Sequence, residues 1–118
     1  MPVLIVYGMP SGIDSGCMAK LIFDLQMAVV SIKPSVKTTV SVFFPVDIVQ
    51  HGLGEELVCF IEALSGPSDI LEIVAKNVLS VLGKFAKENV KNCNMVQIIA
   101  AKFNHGHNVF ICNPREQK

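Results

Sequence analysis

Two consecutive strand–helix–strand units are what this chain of 118 residues predicts: an α/β protein with a four-stranded sheet and two helices packed on one face. Three observations carry that expectation. Apolar runs of strand length open each half, at Val3-Leu4-Ile5-Val6-Tyr7 and at Leu57-Val58-Cys59-Phe60-Ile61. Each run is followed by a turn-rich segment and then by a long stretch whose apolar residues recur every three or four positions. Each half closes on a second apolar run, and a strand–helix–strand passage places its two strands parallel with the helix crossing over right-handed.

The first strand ends at Gly8. Met9 to Gly16, with Pro10, Ser11 and Gly12, reads as a turn, and Asp14 or Ser15 can cap the helix that follows. Met18, Leu21, Ile22, Leu25, Ala28, Val29 and Ile32 form its apolar face. Pro34 disfavours helical geometry at Lys33, so the helix is expected to end there. Thr38 to Phe44 reads as the second strand, closed by Pro45.

In the second half, Ser65-Gly66-Pro67-Ser68 is a turn and Asp69 is a candidate cap. Leu71, Val74, Ala75, Val78, Val81, Leu82 and Phe85 make the second helical stripe, and Met95 to Ala101 the fourth strand. Residues 1–118 therefore form one domain, with pseudo-repeats over about 2–45 and 57–103 and a C-terminal segment 104–118. Only one face of such a sheet is covered by helices. Apolar strands argue against leaving the other to water.

Composition narrows the function classes. Hydrophobic residues make up 51% of the chain and charged residues 17%, an apolar surplus for so short a chain and a reason to expect subunit interfaces. Ten acidic and ten basic residues cancel, and Arg115 is the sole arginine, so nothing resembles a nucleic-acid footprint. Cys17, Cys59, Cys93 and Cys112 are widely spaced, which fits free thiols in a reducing compartment. No apolar run approaches the ~18 residues of a membrane span, and no basic region opens a secretion signal. A soluble, cytoplasmic protein without a membrane partner is the expectation.

Pro2 is the residue with the most chemistry to offer. Proline is tolerated at the first position of a strand, and that alone would explain it. Removal of Met1 would instead expose a secondary amine on a core strand. An α-amino group titrates near about 7.7–8.0, and an apolar pocket lowers that value, leaving a general base near neutral pH.

Other signals are weaker. Gly8, Gly12 and Gly16 match neither nucleotide-binding glycine pattern, and they read as a plain turn. His105, His107 and Cys112 lack a recognisable ligand spacing, so no metal and no cofactor is expected.

Met-Pro before a short apolar strand, two strand–helix–strand units, Lys33-Pro34 at the end of the first helix and His51-Gly52-Leu53-Gly54-Glu55 between the halves together resemble the tautomerase superfamily. This group includes 4-oxalocrotonate tautomerase and macrophage migration inhibitory factor. The resemblance covers almost the whole chain. It implies a homotrimer whose sheets form a barrel with the helices outside, and a keto–enol tautomerase or isomerase acting on a small enol or 2-keto acid.

By that resemblance Pro2 is the general base and acid, and Lys33 binds the substrate carboxylate. The backbone amide of Leu64 lies in the site, and His51 stands where 4-oxalocrotonate tautomerase has an active-site phenylalanine. Gln97 and Ile99 replace a tyrosine and an asparagine of macrophage migration inhibitory factor. The two arginines of 4-oxalocrotonate tautomerase have no counterpart, Val40 taking the place of one, which points to a monocarboxylate. Lys37 or a neighbour stands where other branches carry a water-activating acid. These departures also motivate the alternative of a non-catalytic trimer acting as a binding or interaction protein. A ferredoxin-like domain has the same element order but would make the second and third strands neighbours.

Overall fold

A computed structural model describes residues 2–32, 40–45, 56–64, 67–102 and 106–116. The order is β1 (Val3–Tyr7), α1 (Ser15–Val30), β2 (Ser41–Phe43), β3 (Glu56–Glu62), α2 (Ser68–Asn89), β4 (Met95–Lys102) and β5 (Gly106–Cys112), then a 3-10 turn over Pro114–Glu116. The sheet has five strands, not four, in the order β2-β1-β3-β4-β5. The fifth is the Val109–Cys112 run together with the residues before it, folded back antiparallel on β4 with Ile99 opposite Val109 and Gln97 opposite Ile111.

Within each half the strands pair parallel, β1 with β2 and β3 with β4, as the crossover helices require. The halves join antiparallel through β1 and β3, with Leu4 opposite Ile61 and Val6 opposite Cys59. β2 pairs with β1 and has no place beside β3, so the ferredoxin-like arrangement is excluded.

Alternation along the strands sorts the side chains. Leu4 and Val6, Leu57, Cys59 and Ile61, and Val96, Ile98 and Ala100 are buried on one face. Against them pack Leu21, Leu25, Ala28 and Val29 of α1 and Leu71, Val74, Val78, Leu82 and Phe85 of α2. Each such side chain contributes about 1.5–3 kcal/mol through removal from water. The helices touch each other as well, and Asn77 Nδ2 donates to the Ala28 carbonyl at 3.4 Å.

Three boundaries differ from the sequence expectation. Asp14 does cap α1, its Oδ2 accepting from Gly16 N at 3.0 Å and Cys17 N at 3.2 Å, but the helix stops at Val30, where Ser31 N returns to the Met27 carbonyl. α2 starts at Ser68 with Pro67 as its cap residue, so Asp69 lies inside the first turn. The fixed φ of Pro67 sets the entry geometry, and its carbonyl receives Ile70 N and Leu71 N. Asp69 still favours the positive end of the helix dipole. Among the described residues of the expected Thr38–Phe44 run, β2 takes in Ser41–Phe43.

At the far end of α2, Arg115 closes the last turn. Its guanidinium donates to the carbonyls of Ala86 at 3.0 Å and Lys87 at 3.1 Å, to that of Val90, and through Nε to Cys93 at 3.1 Å. One tail residue thus adds donors to carbonyls around the end of α2, two of which, Ala86 and Val90, also accept Val90 N and Cys93 N, and it ties the segment after β5 to α2. Among the described residues no helix is long and apolar enough to cross a membrane.

Gly8 ends β1 with φ +91°, and a Cβ there would stand 2.4 Å from the Glu56 carbonyl oxygen. Gly8→Ala is expected to lose at least ~3 kcal/mol, the sum of left-handed strain and overlap with backbone, and urea unfolding would measure it.

Candidate active site

Pro2 stands immediately before β1, and its ring is among the fully buried side chains. Its carbonyl accepts Ser41 N at 3.2 Å, so β2 holds the start of β1 from one side. From the other side β3 holds it, because Val3 lies between Ser41 and Glu62. A proline is accepted here because the ladder begins one residue later and asks no N–H of it.

Leu64, two residues past the end of β3, is buried at the same end of the sheet as Pro2. Between Glu62 and Leu64 the backbone of Ala63 takes φ +60°, the one positive value at a non-glycine among the described residues. Gln97 lies elsewhere. It pairs with Val58, whose other neighbour is Tyr7, five residues along β1 from Pro2. That separates it from Pro2 of the same chain by roughly 17 Å along the strands and about 10 Å across them. Lys33 and His51 lie outside the described residues.

Among the described residues no helix covers the second face of the sheet. It presents Phe43, Ile5, Phe60, Ile99 and Val109 as one row and Tyr7, Val58, Gln97 and Ile111 as the next, each residue the register partner of its neighbour. Tyr7, Phe43, Val109 and Ile111 are 44–55% exposed, a contiguous apolar surface where a lone protein would carry polar side chains. The Tyr7 ring stands edge-on to Phe60, centroids 5.7 Å apart at 88°. At the β2 border of this face a shallow depression of about 350 Å³ is lined by Ile5, Tyr7, Phe43, Phe44 and Pro45.

This arrangement of two antiparallel-joined strand–helix–strand units recurs in solved structures. Fused 4-OT in the form of a wild-type asymmetric trimer aligns over 96% of both chains with a TM-score of 0.57 at 17% identity. Native fused 4-OT aligns over the same share of each chain with a TM-score of 0.56 at 16% identity. Malonate semialdehyde decarboxylase gives 0.53 at 11% identity, covering 88% of this chain and 90% of that one. The chain shares its fold with these proteins. At these identities the likeness is one of architecture. No family model matches the sequence, and no curated protein matches it.

The glycine turn before α1 has its first helical amides taken by the Asp14 carboxylate. Among the described residues no three His, Cys, Asp or Glu side chains gather as a metal site. His105 lies outside the described residues, and the backbone of His107 pairs with Ala101 in the β4–β5 ladder.

All four cysteines are free. Burial pushes the Cys59 thiol up to about 12 and also raises Cys93 and Cys112, so none of these three is a thiolate at neutral pH. Sequence reading overlooked Ser41, Glu62 and Ala63 as neighbours of Pro2. Only the cross-strand register brings them there, and no local spacing announces it.

Proposed function

We propose that the protein is a keto–enol tautomerase that uses Pro2, freed of Met1, to move a proton on a small enol or 2-keto monocarboxylate. One observation carries this reading: in a fold shared with fused 4-OT, Pro2 stands directly before the first strand, fully buried, with its carbonyl accepting Ser41 N of the neighbouring strand. Burial disfavours the charged amine, which leaves the nitrogen free to accept a proton near pH 7. The neutral nitrogen takes the enol O–H proton and leaves an enolate, and the resulting ammonium returns that proton to the carbon as the C=O bond forms.

Lys33 would bind the carboxylate, with the backbone amide of Leu64 beside it. The open sheet face supports self-association as a homotrimer, and fused 4-OT is described as a trimer. In such an assembly Gln97, too far from its own Pro2, would serve the Pro2 of a second copy, and His51 would add a further wall of the site. Free thiols support a role in the cytoplasm. The expected result is ketonisation of an aryl-substituted enolpyruvate well above the buffer rate, and faster than that of an enol dicarboxylate, since no arginine pair is present. A rate no higher than buffer for either would remove the reading.

A further inference from the structure

We infer that Ala63 is a positioning residue whose strained backbone fixes the main chain beside Pro2. This rests on the proton-transfer reading above. The β1–β3 ladder runs from Tyr7 opposite Val58 to Val3 opposite Glu62 and ends there, with Pro2 the residue before it on one strand and Ala63 the residue after it on the other. At that step the chain adopts φ +60°, the left-handed region, which an alanine enters only at a cost and a glycine enters freely.

The methyl group of Ala63 is exposed and packs into no core, so it contributes nothing by burial. What it does contribute is restriction, because a Cβ removes most of the φ/ψ space that glycine would explore. Strain kept at a position where glycine would relieve it, beside the candidate base, matches the clustering of such residues at working sites. The turn at Ala63 also breaks the strand alternation: Glu62 stays on the exposed side while Leu64 becomes buried. The peptide joining Ala63 to Leu64 is thereby pre-set level with Pro2, ready to meet a substrate oxygen without reorganising.

Ala63→Gly separates this role from a merely structural one. Glycine suits the left-handed region, so the thermal midpoint is expected to stay level or rise. The loosened main chain is expected to raise KM about tenfold in enol conversion with kcat changed less than about twofold, the loss of pre-organised binding. An unchanged KM in the variant, with the parent protein active, overturns the inference and leaves the proton-transfer reading intact. A lowered midpoint with KM and kcat both impaired overturns it too, by showing a structural role. A parent protein without activity removes the reading, and the inference falls with it.

Discussion

Pro2→Ala is expected to lower kcat/KM for enol ketonisation by about 10²-fold or more, the contribution a positioned general base makes. The variant still offers an amino group once Met1 is gone, so the loss measures placement and ring geometry as well as basicity. Proline holds its nitrogen in a ring with φ fixed, while an alanine amine rotates about its Cα bond and meets the substrate in the right direction only part of the time. The Pro2 ring is fully buried, so the variant's thermal unfolding has to be recorded alongside its kinetics, to separate a lost base from a loosened β1. An unchanged rate in a folded variant would transfer the chemistry to another group.

Ile99→Lys is expected to convert the assembly to single chains. In β4, Ile99 stands between Phe60 and Val109 at the middle of the uncovered face. On an isolated chain a lysine at this half-buried position could still reach water, at a cost of about 1 kcal/mol. In a closed assembly it would bury an unpaired ammonium in every copy, at several kcal/mol each. Sedimentation should therefore show the parent at three times the 12.8 kDa chain mass and the variant at one. A parent already at 12.8 kDa, or a variant that keeps the threefold mass, would contradict a trimer closed through this face.

The fold was legible in the sequence wherever periodicity alone decides structure. The continuous apolar runs Val3–Tyr7 and Leu57–Ile61, of strand length, placed β1 and β3, and the three-and-four spacing from Leu21 to Val29 and from Leu71 to Phe85 placed the two helices with their buried faces. Parallel pairing within each half followed from chain connectivity. The fifth strand was not legible. Val109–Cys112 is four residues long, and its polar lead of His107 and Asn108 becomes strand only because β4 offers an unpaired edge. The ends of α1 and α2 moved by one to three residues because Ser31 and Pro67 settle them through backbone hydrogen bonds that composition does not show.

The candidate site was legible in a different way. Pro2 and Leu64 come to the same end of the sheet, but no periodicity leads there, and it was the order of several weak motifs that singled them out. Ser41 bonds Pro2 and Glu62 pairs with Val3 beside it, through register between strands about 40 and 60 residues away in sequence, a long-range relation with no local signature. Gln97 shows the reverse: a residue whose strand was correctly expected, yet which stands far from Pro2 of its own chain.

The measurement that bears most directly on this account is the ketonisation rate of an aryl-substituted enolpyruvate by two forms of the same chain, one with Met1 absent by intact mass and one with Met1 retained. Retention turns the Pro2 nitrogen into an amide with no basicity while leaving every other residue in place. The account predicts catalysis by the Met1-free form and a rate at the buffer level for the Met1-bearing form. Equal rates in the two forms, whether both fast or both at background, would contradict proton transfer at Pro2.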